Sequence, residues 1–194
     1  PTLTHGWKPE TGFLPYRYEG YDEGLLLYLL ALGSPTHPLP PESYNAYCAT
    51  YQWKEIYGRE LLYSGPLFTH QLSHLWIDFR GIRDAFMRER GSDYFENSRQ
   101  ATFVQQEYAV RNPLGFEGYG EHCWGITASD GPGWVKRAVN GVDREFYGYI
   151  ARGAPFGPDD GTVSPWVVVA SLPFAPEIVI PTVRQFARLD LGMT

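Results

Sequence analysis

The run Leu25-Leu26-Leu27-Tyr28-Leu29-Leu30-Ala31-Leu32 constrains this chain more than any other stretch. Read as a helix from Glu23 to Leu32, it is apolar on every side, and such a helix has to be buried all round. The chain must therefore supply other elements to surround it. Gly33-Ser34-Pro35 stops the helix, as a C-terminal glycine followed by proline does. Asp22 and Glu23 stand at its N-terminal edge, where the helix dipole favours an anion and the cap position suits aspartate. Two readings are open there: a plain Asp N-cap with a first-turn Glu, or a half-buried Glu whose raised pKa suits a general acid.

The remaining pattern is mostly helical. Pro40-Pro41-Glu42-Ser43 opens a second helix running to about Tyr57, with proline in the first turn. Phe68, Leu72, Leu75, Trp76, Phe79, Ile82 and Phe86 recur at three- and four-residue intervals and predict a third helix over 68–89. A fourth is expected from Asp93 to Val110, ended by Asn112-Pro113. Residues 113–163 are rich in Gly, Pro, Asp and Trp and show little period beyond a possible hairpin around 134–150; so long a loop usually carries function. Ser164-Pro165-Trp166 begins a fifth helix with Ser164 as N-cap, and Pro181 begins a sixth ending near Leu189. The expected class is all-α, one domain over 1–194, with no repeat.

Composition narrows the function. A net charge of −6 without any Lys/Arg run argues against a nucleic-acid partner. Aromatic residues make up 16%, enough both to pack a core and to leave ring platforms for a neutral polar ligand such as a sugar. Cys48 and Cys123 allow one bridge or two free thiols. No apolar run is long enough for a membrane span. Pro1 is not an initiator, so the expectation is a mature or trimmed product whose export signal has been removed.

Two carboxylate clusters could carry chemistry. The first is Gly20-Tyr21-Asp22-Glu23-Gly24; the second is Gly157-Pro158-Asp159-Asp160-Gly161-Thr162 before the fifth helix. Turn chemistry alone explains one aspartate in such a turn but not two, and Arg152 is close enough in sequence to hold one ionised. Hydrolysis of a glycosidic bond needs two carboxyl groups in different protonation states. His70, His74 and Asp78 would share one face of the third helix. Their spacing is compatible with a metal, but Gln71 stands where zinc hydrolases place a Glu, so no metal is expected. Glu96 and Arg99 suggest a helix-surface pair. Trp124 and Asp130 bracket a polar loop that reads either as a sugar platform or as an Asx-type turn. Neither a glycine-rich phosphate loop nor a Gly-x-Ser-x-Gly elbow occurs.

Taken in order, several strings resemble the bacterial glycoamylase, or putative glucoamylase, family. That family includes endo-β-1,2-glucanases and the glucan-processing domain of cyclic β-1,2-glucan synthases. The strings are Gly20-Tyr21-Asp22-Glu23-Gly24, Leu32-Gly33-Ser34-Pro35-Thr36-His37-Pro38, Gly65-Pro66-Leu67-Phe68-Thr69-His70-Gln71 and Ser73-His74-Leu75-Trp76-Ile77-Asp78-Phe79-Arg80. Asp93-Tyr94-Phe95-Glu96-Asn97-Ser98-Arg99, Trp124-Gly125-Ile126-Thr127-Ala128-Ser129-Asp130-Gly131-Pro132 and the Asp-Asp-Gly-Thr turn continue them.

The resemblance implies an (α/α)6 barrel and an inverting hydrolase without cofactor, acting on an oligo- or polysaccharide. It implies Glu23 as general acid and Asp160 as base or water-orienting group, with Asp159 less favoured. Asp22, His70, Arg80, Glu96, Trp124, Asp130 and Arg152 would bind substrate. Family members are usually about twice as long, so the chain resembles the second half of a barrel whose first half would lie on another piece of protein. The leading expectation is an endo-acting β-1,2-glucan hydrolase, periplasmic or secreted. The alternatives are a non-catalytic carbohydrate-binding or assembly module, a glucoamylase on α-glucan, and a transglycosylase.

Overall fold

The computed structural model describes residues 2–189. The chain opens with a short antiparallel ladder, β1 (Trp7–Lys8) on β2 (Gly12–Phe13), extended by a bridge between Thr4 and Arg17. Helix α1 (Leu25–Leu32) follows, then α2 (Pro41–Cys48) with proline in its first turn. Next come the hairpin β3 (Trp53–Ile56) and β4 (Arg59–Leu62), two single-turn 3₁₀ helices (Leu67–His70 and Leu72–Leu75) and α3 (Ala85–Glu89). The longest element is α4 (Tyr94–Arg111). Beyond it, β5 (Ala128–Ser129) pairs with β8 (Ile150–Ala151), and between them β6 (Val135–Val139) pairs with β7 (Val142–Phe146). Helices α5 (Pro165–Ala170) and α6 (Pro176–Phe186) close the described chain.

Among the described residues the fold is not purely α: helices alternate with four two-stranded ladders. The expected helix 40–57 stops at Cys48, because Tyr57 and Gly58 both adopt positive φ and turn Trp53–Ile56 back onto Arg59–Leu62. Two such residues in a row make the tight turn that matches strand twist. The predicted third helix is also overturned. Asp78 accepts the Arg80 backbone N–H through Oδ1 (3.1 Å) and Gly81 takes φ 74°, both of which break helical geometry. Helix resumes only after Asp84, whose side chain caps Met87 (2.8 Å). Helix α6 starts at Pro176, earlier than the predicted Pro181, which it carries inside. The fourth helix and the hairpin near 134–150 lie where expected, the latter turning at Asn140-Gly141.

Helix α4 organises the core. On its apolar positions Ala101, Val104 and Ala109 pack with Leu61, Leu67, Trp124, Val167, Val168 and Val179. A second cluster of Tyr21, Leu25, Tyr28, Tyr47, Phe79, Met87 and Tyr94 joins α1 and α2 to its N-terminal end. The same helix buries polar side chains. Asn97 accepts the Leu62 N–H (2.6 Å) and donates to the Leu62 carbonyl (3.2 Å), adding a side-chain rung to β4. Gln105 donates to the Gly65 carbonyl (3.3 Å) and accepts from Ile126 N–H (2.9 Å). Tyr108 donates to Asp159 (2.9 Å).

Helix α1 is buried on one side only, at Leu25 and Tyr28; Leu27 and Leu30 face solvent, contrary to the all-round burial expected. With Trp76, Leu75, Trp166 and Val169, also exposed, the described residues leave a broad apolar surface.

Where loops cross, contacts are tight. A Cβ on Gly153 would stand 2.5 Å from the Gly65 backbone carbon, and backbone cannot rotate away. Gly153→Ala should lower stability by about 1–3 kcal/mol, measured as a shift in the denaturant midpoint, while Gly58→Asn, in a turn with open space, should cost much less.

Candidate active site

The first carboxylate cluster lies in the turn that leads into α1. Gly20 takes φ 79° and donates its N–H to the Tyr47 carbonyl (3.0 Å), which brings Tyr21 under the turn. Asp22 does not cap the helix, whose N-cap position is Gly24. It forms an Asx-type turn instead, Oδ1 accepting the Gly24 N–H (2.9 Å) and the Tyr47 hydroxyl (3.1 Å). Beneath lies a layer of tyrosines, with Tyr28 stacked on Tyr47 (4.2 Å between centroids) and Tyr21 on Tyr94 (5.9 Å). Burial against these rings pushes the Asp22 carboxyl up to about 6, against the pull of its two hydrogen bonds. The charge of neighbouring Glu23 pushes in the same direction, and His5 in the opposite one. Glu23 is half-buried, and no side chain among the described residues bonds its carboxylate. Beside Gly20 and Tyr21 opens a polar cleft of about 320 Å³, walled by Glu19, Thr50, Gln52, Tyr63 and Ser64.

The second cluster is built differently. Asp160 is 3% exposed and pairs with Arg152, both side chains fully buried. Its Oδ1 accepts from Arg152 Nε (2.7 Å) and the Thr162 N–H (3.2 Å); its Oδ2 accepts from Arg152 Nη2 (2.7 Å) and the Tyr147 N–H (3.0 Å). Burial opposes the charge, but the Arg152, Thr162 and Tyr147 bonds and the guanidinium's charge outweigh it, lowering the carboxyl to about 2. The guanidinium also donates to the carbonyls of Ser129 (2.7 Å), Tyr147 (3.0 Å) and Gly148 (3.2 Å). Asp159 accepts from Tyr119 (2.7 Å) and the Gly161 N–H (3.0 Å) through Oδ1 and from Tyr108 (2.9 Å) through Oδ2. Both aspartates thus face protein donors, and Asp160 is the counter-ion of Arg152.

Several other predicted binding residues prove to be interior. Trp124 is fully buried and its indole N–H donates to Thr182 (2.9 Å). His70 is buried between the Asn97 amide at Nδ1 (3.3 Å) and the Ser64 carbonyl at Nε2 (3.2 Å). Those partners require the neutral Nε2–H tautomer, and burial lowers its pKa to about 4. His70 and His74 lie on separate 3₁₀ turns rather than on one helix face. Glu96 accepts from Gln100, while Arg99 reaches across to Glu177 (2.6 Å) and the Phe174 carbonyl (2.8 Å), so the Glu96–Arg99 pair does not form. Asp130 is exposed beyond β5, and Cys48 and Cys123 are both free.

Arg80 is accessible. It pairs with Asp78 (2.9 Å) and lies over Phe95 (4.2 Å) at a second, apolar cleft of about 370 Å³, lined by Phe68, Leu72, Leu75, Trp76 and Trp166. The polar cleft beside Tyr21 gave no sequence signal, since Thr50, Gln52 and Ser64 come from segments read as helix interior and loop.

Residues 15–193 match the family described as "Putative glucoamylase". The chain belongs to the Glycoamylase family. Within the Glycoamylase neighbourhood it is similar to an exo β-1,2-glucooligosaccharide sophorohydrolase (non-reducing end) of Parabacteroides distasonis, at 27% identity over 97% of this chain and 27% of the relative. It superposes on a putative glucoamylase from Bacteroides uniformis with TM-score 0.81 and 30% identity, covering 96% of this chain and 43% of that one. An endo-β-1,2-glucanase from Chitinophaga pinensis, in complex with sophorotriose and glucose, gives TM-score 0.80 and 28% identity over 98% of this chain and 44% of that one. The chain thus spans less than half the length of these relatives.

Two predictions follow from the opposed electrostatics. Removing the Asp160 charge leaves a buried, unpaired guanidinium, so Asp160→Asn should cost about 3–5 kcal/mol in denaturant unfolding. Asp22 titrates higher in the fold than in the unfolded chain, so it binds more protons folded and stability falls as pH rises from about 4 to about 6. Asp22→Asn should remove that segment of the pH–melting curve, and its advantage over the parent should be larger at pH 7 than at pH 4.

Proposed function

We propose that this chain is part of a glycoside hydrolase acting on β-glucan, β-1,2-linked by preference, with Glu23 as the general acid. The observation that carries the reading is the half-buried Glu23, unbonded by any side chain among the described residues, in the turn beside the polar cleft at Gly20 and Tyr21. The β-1,2-glucan activities named for the relatives from P. distasonis and C. pinensis support the substrate class.

In the proposed reaction Glu23 protonates the leaving glycosidic oxygen, and Asp22 keeps its environment electronegative and orders the turn. In an inverting site a second carboxylate, ~6.5–9.5 Å away, activates a water on the opposite face of the sugar. The bonds made by Asp160 suit it to fixing the 129–162 loops, so we assign the water-activating carboxylate to the part of an (α/α)6 toroid that this chain does not contain. The apolar surface on α1 and around Trp76 and Trp166 fits a fold completed by further helices. We take endo cleavage as the working assignment and a periplasmic or secreted location as its consequence, since the substrate is a polymer.

The test is hydrolysis of linear β-1,2-glucan by the complete toroid that includes this chain, with soluble starch as comparison, followed by reducing ends, product length and product anomers. Short β-1,2-oligosaccharides of inverted anomeric configuration are expected, and Glu23→Gln should reduce the rate by about 10²–10⁴. Undiminished turnover by Glu23→Gln would remove the assigned acid. Calorimetric binding of the glucan without turnover would favour a carbohydrate-binding module.

A further inference from the structure

The N-terminal ladder carries an unusual set of side chains for a structure this small. Tyr16 is 68% exposed, and Trp7 and Phe13, directly opposite each other in register, are 58% and 73% exposed. His5 stacks on Tyr18 (4.1 Å between centroids, planes 28° apart), and the Tyr16 ring lies 6.4 Å from the imidazole, tilted by 48°. The three rings thus form a continuous row, Tyr16–His5–Tyr18. The row leads to the carboxylates, because a Cβ on Gly24 would stand 2.8 Å from both the Tyr18 ring and Asp22 Oδ1.

This row is held rigid. His5 N–H donates to the Tyr16 carbonyl (3.0 Å), Tyr18 N–H to the Leu3 carbonyl (2.9 Å) and Leu14 N–H to the Gly6 carbonyl (2.9 Å). Thr4 Oγ1 donates to the Gly6 carbonyl (2.7 Å) and Arg17 Nη1 to the Thr2 carbonyl (2.5 Å). The Leu3 N–H is bound by the Tyr28 hydroxyl (2.9 Å), which itself donates to the Tyr18 carbonyl (2.9 Å). Tyr28 is a residue of α1, so the ladder and the Asp22–Glu23 turn are tied to one helix and keep a fixed spacing.

We propose that Tyr16, His5 and Tyr18 form an extended subsite for a β-linked gluco-oligosaccharide, continuing the path of the chain away from Glu23. The inference rests on the glucan reading above. A pyranose ring presents an apolar C–H face and an equatorial belt of hydroxyls. An exposed tyrosine ring takes the face, and the imidazole and the Asp22 and Glu23 carboxylates take the hydroxyls. Of the three, His5 lies ahead of the matched residues 15–193, while Tyr16 and Tyr18 lie within them.

Calorimetry on the full chain with sophorose and with longer β-1,2-gluco-oligosaccharides tests the assignment. Tyr16→Ala and His5→Ala, both at exposed positions, should bind the longer oligosaccharides roughly three- to tenfold more weakly. They should bind sophorose unchanged, and Tyr16→Phe should restore binding of the longer ones. Equal loss at all lengths, or no loss at any, overturns the subsite while leaving the glucan reading in place. If the unaltered chain binds no oligosaccharide of any length, the glucan reading falls and the subsite falls with it.

Discussion

A long helix with polar groups on its buried side is the constraint around which this structure is arranged. Asn97, Ser98, Thr102 and Gln105 on α4 are all essentially inaccessible, and an unpaired buried polar group costs of the order of 1–3 kcal/mol. Each therefore dictates where a neighbouring segment runs. Asn97 fixes β4, Ser98 sits against the His70 carbonyl (2.5 Å) and His74 Nε2 (3.0 Å), and Gln105 holds Gly65 and Ile126 together. One turn further on, Tyr108 reaches the Asp159 loop. The irregular segments on both sides of α4 are placed by these bonds as much as by apolar packing. That explains how a chain with so many loops keeps a defined surface.

The two acidic clusters that stand out in the sequence are opposites in the fold. Asp22 sits over tyrosine rings with two neutral donors and keeps its proton into the mildly acidic range. Asp160 sits against a guanidinium and two backbone N–H groups and holds its charge under strong acid. The same residue type thus serves two purposes, and the difference comes entirely from what surrounds it. A carboxylate locked to a buried guanidinium is suited to architecture; one that keeps its proton into the mildly acidic range, next to an unbonded Glu23, fits the proposed acid chemistry.

Much of this was legible in the chain itself. The strings from Gly20 to the Asp-Asp-Gly-Thr turn pointed to the family, and the periodicity of 93–110 and the alternation around 134–150 located α4 and the β6–β7 hairpin. The expected helix over 68–89 failed: of its three-and-four pattern only Phe79 is fully buried, Leu72, Leu75, Trp76 and Ile82 are exposed, and the chain runs through two 3₁₀ turns and a bend that bury Leu67 and His70 instead. Helical period alone cannot register a backbone broken by an Asp78 side chain or by the positive φ of Gly81. For the site, residue chemistry marked Arg152 as a partner for one of the two aspartates, and the structure shows that one to be Asp160. It could not say that Trp124 and His70 turn inward, since an indole or imidazole serves a core as readily as a ligand. The polar cleft by Tyr21 escaped because it is assembled from Glu19, Thr50, Gln52 and Ser64, ordinary residues made neighbours only by the hairpin turn at Tyr57-Gly58.

Arg152 reaches four points, Ser129, Tyr147, Gly148 and Asp160, spread over the long irregular region, and a Cβ on Gly131 would collide with its guanidinium. Loops joined through one buried cation cannot open one at a time, because freeing any of them strands charge or donors on the others. The segments at Ser129, Tyr147–Gly148 and Asp160–Thr162 should therefore open together, with one opening free energy. Their amides should lose protection from solvent exchange together, and the Tyr147 and Thr162 N–H groups that bind Asp160 should be among the last to yield.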